Sequence, residues 1–225
     1  MPWLLLDSGS RPPAENMACD EALLEAVARL GRPILRFYGW TEPAATFGYF
    51  QKFAEVERMT KWRPLIRRPT GGGLVPHDAD WTYSLIFPPG DAWYELSAME
   101  SYRHVHEWIQ AAFRQLGTPT DLASCCRKGV PGQCFIGAEK FDVLLADRKI
   151  AGAAQRRTRD GLLIQGSIQP PAGANRGEFE KAFRAVAQTL WGVDWKVLRI
   201  DAGLHDRVEE LMREKYSRKE FNERR

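Results

Sequence analysis

Residues 141–170, FDVLLADRKIAGAAQRRTRDGLLIQGSIQP, constrain the fold more than any other stretch of the chain. They read as three strands, FDVLLA, RKIAGAAQRR and GLLIQGSIQP, with Asp147-Arg148 and Arg159-Asp160-Gly161 between them as tight turns. Connections that short leave no room for a helix, so this part of the chain has to be hairpin sheet. Elsewhere strands and helices mix without a strict βαβ rhythm. The pattern predicts an α+β protein, a single domain over residues 1–225 with a mixed β-sheet flanked by helices.

The remaining elements are read from periodicity and breakers. LDSGSRPP is a Ser/Pro-rich turn leading into a helix from about Ala14 to Leu30. Met17, Leu23, Leu24, Val27 and Leu30 form its apolar stripe, and Gly31 and Pro33 end it. ILRFYGW and ATFGYF have strand character, FAEVERMTKW is a short helix, and RPLIRR is a strand entering a glycine loop. DWTYSLIFP is a further strand, stopped by Pro88-Pro89-Gly90. A long helix covers Ser97 to Leu116, with Tyr102, Val105, Ile109 and Phe113 at helical spacing. SCCRKGVPGQ is a loop, and a mostly helical tail fills about 177–225. No internal repeat or linker divides the chain.

Composition narrows the class. With 44% hydrophobic and 27% charged residues the sequence is that of an ordinary globular protein. It has no run of about 18 apolar residues, and MPWLLLDSGSRPP makes a poor signal peptide, so a cytoplasmic protein without a membrane partner is expected. A net charge of +3 is a weak footprint for nucleic acid, and none is expected as partner. The local excesses at Arg67-Arg68, Arg156-Arg157 and SRKEFNERR suit acidic protein partners equally. Four cysteines are too few and too clustered for a disulfide framework and are read as thiols.

Candidate chemistry starts at RRPTGGGLVPHD, residues 67–78. It is neither G-x-x-x-x-G-K-[ST] nor G-x-G-x-x-G, and a strand rather than a clear helix follows it. Gly71, Gly72 and Gly73 offer bare backbone N–H groups that can approach a ligand, or else a hairpin or bulge with positive φ. His77, beside Asp78, can titrate near neutral pH or serve as a structural hydrogen-bonder. Cys19 falls on the amphipathic helix and reads as core. Cys125, Cys126 and Cys134 lack C-x-x-C spacing and a nearby His, so no metal site is expected. Cys134 sits where a loop becomes a strand, a common place for a reactive group, although a buried structural thiol is the alternative. Lys149, flanked by Ile150, Ala151 and Gly152, is either solvated or reaches across a pocket floor to hold a carbonyl oxygen or lower the pKa of a thiol.

Taken together, ENMACDEALLEA, LRFYGWTEPAATFGYFQK, RRPTGGGLVPHDADWTYSLIF, CF and RKIAGAAQRR…GLLIQGSI resemble, in this order, the lipoate–protein ligase and octanoyltransferase superfamily, over about residues 3 to 170. They are most similar to the LipM-type octanoyltransferases. The resemblance implies the fold of the biotin/lipoate protein ligase catalytic domain, with the acyl group in a tunnel. It implies transfer of octanoyl from acyl carrier protein to a lysine of a lipoyl-domain protein, such as glycine cleavage H protein, through a cysteine thioester. Cys134-Phe135 matches the acyl-carrying Cys, Lys149 the family lysine, and Arg68 through His77 the loop. Gly152 and Ala153 join Arg68, Gly71, Gly72, Gly73 and His77 as implied substrate-binding positions. No cofactor is implied for that reaction.

The chain departs from the LipM pattern in three places. Gly71-Gly72-Gly73 replaces the usual Gly-Gly-Arg and is closer to the ATP-dependent ligases. Gln165 stands where a His usually precedes Gly-Ser-Ile, and Pro-Ser is lacking after Phe135. A lipoate–protein ligase using ATP and Mg²⁺, a lipoyl amidotransferase and a non-catalytic carrier-binding protein are therefore the alternatives. The ligase often carries an accessory domain, and only about 55 residues follow the motif region. Retention of both Cys134 and Lys149 speaks against the non-catalytic reading.

Overall fold

The computed structural model describes residues 2–126 and 137–224. The chain opens with β1 (Pro2–Arg11) and α1 (Pro13–Leu30), then β2 (Ile34–Trp40), β3 (Ala44–Phe47) and α2 (Phe53–Met59). Next come β4 (Leu65–Arg67), β5 (Val75–His77), β6 (Trp81–Phe87), α3 (Ala92–Glu95) and α4 (Ala98–Gln115). They are followed by β7 (Asp121–Leu122), β8 (Val143–Leu145), β9 (Arg148–Arg157) and β10 (Leu162–Ile168). The last third holds α5 (Arg176–Trp191), β11 (Asp194–Val197), α6 (Ala202–Leu211), a π-helical turn at Met212–Tyr216, and α7 (Lys219–Asn222).

Eight strands form one sheet in the order β11-β1-β2-β6-β10-β9-β8-β7. The β1 pairings with β2 and β11 are parallel and the others antiparallel, so the sheet is mixed. A second sheet, β4-β3-β5, lies beside it. The β8-β9-β10 meander forms as expected. Its first turn is shifted by one residue: Ala146 and Asp147 both take positive φ, as a two-residue hairpin turn with the strand's own twist demands.

Local signals explain the helices. Pro13 starts α1, and Gly31 ends it in the left-handed region. Ser97 caps α4 in a reciprocal capping box with Glu100. One sheet face packs on α4 and α5, where Trp108 stacks on Phe183 at 3.8 Å. The opposite face packs on α1 and α6, where Met17, Leu23, Leu24 and Val27 are buried as their spacing predicts. Cys19 is in that core, and burial pushes its thiol pKa up.

Two expectations need correcting. LDSGSR is not a turn but the continuation of β1, which accommodates the polar residues through an irregularity between Asp7 and Ser10. The tail is not helical throughout, because β11 adds to the free edge of β1. Trp195 of β11 packs edge-on against Trp3. That burial is long-range and invisible to local periodicity.

Gly166 of β10 sits opposite Tyr83 of β6, and a Cβ there would fall inside the Tyr83 ring. The ring is fully buried, so it cannot swing away. Gly166→Ala is expected to cost roughly 1–3 kcal/mol through overpacking. In a domain of this size that lowers the melting temperature by roughly 2–12 °C. A melting curve superimposable on wild type would show that the ring has room.

Candidate active site

A cavity opens between the two sheets. Arg68, His77, Lys149, Gly152 and Ala153 all line it, so the cavity brings together segments around residues 68–77 and 149–153. Thr46, Thr82, Gln165 and Ser167 add hydroxyl and amide groups, while Met17, Trp40 and Val75 add apolar wall. Convergent polar groups set between apolar wall residues are characteristic of a small-molecule site.

Lys149 reaches the cavity because of two features of β9. The pairing shifts between Val143 and Leu144, so Lys149 and Ala151 face consecutive residues of β8 and Ile150 is the extra one. In an unbroken strand, residues 149 and 152 would point to opposite faces. The bulge brings them together, and a Cβ at Gly152 would lie 2.7 Å from Lys149 Cε. Gly152 is thus the space in which the lysine side chain lies.

Asp142, fully buried, accepts from Lys149 Nζ at 2.7 Å and from the Glu139 N–H at 2.6 Å. Its other oxygen accepts from Tyr102 OH. Burial, then Asp142, push the Tyr102 phenol pKa up, so it stays a donor. Beneath it, burial pushes the His106 pKa down to about 4, so that ring adds no charge near neutrality. The lysine Nζ is held in a fixed direction, with the Asp142 carboxylate placed behind it.

The glycine loop is held from both ends. Arg68 donates through Nε to the Gly71 carbonyl at 3.0 Å, closing the loop on itself. Thr70 Oγ1 donates to Gln165 Oε1 at 2.7 Å, and Gln165 Nε2 donates to Asp20 Oδ2 at 2.7 Å. Gln165 therefore ties the loop to α1 across the cavity floor. Gly72 takes φ +83°, and its carbonyl packs where a Cβ on Gly48 would sit. Gly71, Gly72 and Gly73 are not among the residues lining the cavity; they shape the turn that delivers Arg68 to it. The neighbouring Arg67 points the other way. Its guanidinium donates to the carbonyls of Tyr49, Gln51, Phe221, Asn222 and Arg224, and its backbone N–H to Asn222 Oδ1.

Asp20 anchors this floor. Its carboxylate accepts from Arg36 at 2.7 Å, Ser84 at 2.8 Å, Tyr38 at 3.0 Å and Gln165. Arg36 and Asp20 side chains are both 0% exposed. Burial and then Asp20 raise the Tyr38 pKa, keeping that phenol protonated.

His77 pairs with Asp80, not with the adjacent Asp78. Its Nδ1 donates to Asp80 Oδ2 at 2.8 Å, and Nε2 lies 2.8 Å from Thr46 Oγ1. Thr82 and Ser167 also donate to Asp80 Oδ2, and Trp40 stacks on the imidazole at 3.9 Å. Cys134 lies outside the described residues, so no geometry is assigned to it. Cys125 and Cys126 are exposed. Among the described residues no group of three or more His, Cys, Asp or Glu side chains could hold a metal ion, and no helix is long and apolar enough to cross a membrane.

A family model for the lipoyl protein ligase A/B catalytic domain matches residues 12–175. The chain belongs to this family. Among its relatives, octanoyltransferase LipM of Symbiobacterium thermophilum is 39% identical over 74% of this chain and 64% of its own length. Octanoyltransferase LipM of Bacillus subtilis is 35% identical over 74% of this chain and 64% of its own. The chain thus spans a little under two thirds of the length of these curated relatives. A solved structure of lipoate-protein ligase A bound with ATP superposes with a TM-score of 0.80 at 23% identity, covering 99% of both chains. The bipartite lipoate protein ligase of Thermoplasma acidophilum superposes at 0.76 and 22% identity, covering 99% of this chain and 96% of its own. Likeness at that identity speaks for the fold: the mixed-sheet domain of the lipoyl ligases.

Within this lipoyl ligase family domain, the residues missed by sequence reasoning are the carboxylates behind the cationic and imidazole groups. Asp142 carries a signal in hindsight: a lone acid in the apolar run FDVLL must be paired once buried. Asp20 and Asp80 carry none, since both lie in polar stretches and find their partners only through the sheet pairing.

Proposed function

We propose that the protein is an octanoyltransferase that takes octanoyl from acyl carrier protein and passes it to a lysine of a lipoyl domain through a thioester on Cys134. The observation that carries this reading is the Lys149–Asp142 pair, aimed into a cavity shared with Arg68. Similarity to the LipM octanoyltransferases supports it. The Cys134 thiol gives up its proton and its sulfur attacks the octanoyl carbonyl; the new C–S bond forms, the C–S bond to the carrier breaks, and the carrier sulfur leaves with that proton. One thioester replaces another, so the step needs neither ATP nor a metal. The lysine amine then attacks, and amide formation draws the sequence forward.

Lys149 Nζ serves the carbonyl oxygen as its negative charge develops, a role for which a fixed, desolvated donor is suited. Arg68 supplies a second positive group on the same wall. The apolar lining holds the acyl chain, each buried CH₂ contributing roughly 0.8 kcal/mol.

Incubation with octanoyl-acyl carrier protein in the absence of ATP is expected to add one octanoyl group by intact mass, and Cys134→Ala to abolish the adduct. An adduct retained by Cys134→Ala refutes the choice of nucleophile. Modification of a lipoyl domain only when octanoate, ATP and Mg²⁺ are supplied makes the protein a ligase instead. Transfer from an octanoylated lipoyl domain but not from acyl carrier protein makes it an amidotransferase.

A further inference from the structure

We propose that Thr46, His77 and Asp80 form a proton relay that deprotonates the attacking lysine amine. The inference rests on the transfer reading above for its substrate, and on the following geometry for its residues. Thr46 Oγ1, the imidazole and the Asp80 carboxylate stand in line with two 2.8 Å spacings, within the reach proton transfer requires. The carboxylate can only accept from Nδ1, so Nε2 is the basic nitrogen and the Thr46 hydroxyl donates to it. Thr46 and His77 both line the cavity.

An amine attacking a thioester must lose a proton, and the cavity offers few takers. Its titratable lining residues, among those described, are Tyr38, Arg68, His77 and Lys149. A guanidinium does not give up its proton at physiological pH. Tyr38 already donates to Asp20 and its pKa is raised. Lys149 is ion-paired with Asp142 and acts as a donor. His77 Nε2 is the ring nitrogen that stands within hydrogen-bond distance of a cavity hydroxyl, Thr46 Oγ1.

The surroundings suit a group that becomes cationic in passing. Asp80 Oδ2 accepts three bonds, from His77, Thr82 and Ser167. Oδ1 is buried without a hydrogen-bond partner among the described residues, which leaves the carboxylate with charge to spare for an imidazolium. The Trp40 ring against the imidazole fixes its plane and offers a π-face to a cation. Arg68 Nη1 lies 3.4 Å from Thr46 Oγ1, favouring negative charge on that oxygen during transfer.

The step balances. The neutral amine forms the C–N bond; its proton passes to Thr46 Oγ1 while the hydroxyl proton moves to His77 Nε2. As the C–S bond breaks, the imidazolium proton ends on the departing Cys134 sulfur, restoring Thr46, His77 and the thiol. Asp80 is a positioning residue, holding the tautomer.

The full-length protein separates the two half-reactions. Wild type, His77→Gln, Thr46→Val and Thr46→Ser are loaded from octanoyl-acyl carrier protein, then mixed with lipoyl domain, and both rates are followed by intact mass. His77→Gln is expected to slow unloading about 100-fold more than it slows loading, with added imidazole restoring part of the unloading rate. Thr46→Val is expected to share the defect, and Thr46→Ser, which keeps the hydroxyl, to relieve it. Unloading of His77→Gln at the wild-type rate overturns the relay. So does equal slowing of both half-reactions without imidazole rescue in variants that melt like wild type, because that is a packing effect. If wild type itself does not load Cys134, the transferase reading falls, and the same proteins are given octanoyl-adenylate and lipoyl domain. A slow His77→Gln then upholds the relay and an unimpaired one overturns it.

Discussion

Lys149→Met is expected to reduce transfer of octanoyl to a lipoyl domain by about 100- to 1,000-fold, the usual cost of losing one preorganised donor to a developing oxyanion. The substitution also strands Asp142, whose buried carboxylate keeps, among the described residues, Tyr102 and the Glu139 N–H as partners. A loss of stability accompanies the loss of rate, and the two must be told apart. Breaking one half of a buried pair is destabilising, whereas removing both charges is often neutral. The double variant Asp142→Asn/Lys149→Met should therefore melt close to wild type and remain as slow as Lys149→Met. Single-turnover transfer and thermal melting on the same samples make the test. Transfer by the double variant within a few-fold of wild type would remove Lys149 from the chemistry.

Asp20→Ala is expected to be the most damaging single change to the fold. It leaves the Arg36 guanidinium, with a 0% exposed side chain, without its counter-charge, which costs roughly 3–5 kcal/mol. Tyr38, Ser84 and Gln165 lose an acceptor at the same time. At roughly 2–4 °C per kcal/mol for a domain of this size, the melting point falls by roughly 6–20 °C. The damage reaches the cavity through Gln165, which Asp20 holds against Thr70 of the glycine loop. A melting point within about 2 °C of wild type would mean that solvent or a neighbouring group compensates Arg36.

The parts of the fold written in local periodicity were readable from the chain. α1, α4 and the β8-β9-β10 meander follow from apolar spacing, Pro13, Ser97, Gly31 and short turns. The full length of β1 and the existence of β11 were not readable, because they are set by parallel pairing, β1 with β2 and β11 with β1 across almost the whole chain. The cavity shows the same division. Arg68, His77 and Lys149 were visible as chemistry-bearing residues in motifs. Asp142, Asp80, Thr46 and Asp20, which orient them, were not, since their roles arise from sheet register and long-range packing. The glycine loop, read as a bare wall for the ligand, instead spends its backbone on Arg68 and Gly48. Gly152, marked only as part of a lysine motif, is where a missing Cβ makes room for the lysine itself.

The two adjacent arginines of the loop have a consequence for how the protein opens. Arg68 faces the cavity, while Arg67 spends its guanidinium on five carbonyls, three of them in residues 221–224. Lifting residues 221–224 would leave a buried cation with its donors unmet, so they do not separate from β4 one at a time. They detach only together with β4, and β4 carries the stem of the glycine loop. The last helical turn and the cavity rim thus share one local unfolding equilibrium: an excursion at either exposes both, and whatever steadies one lowers the population of open states at the other.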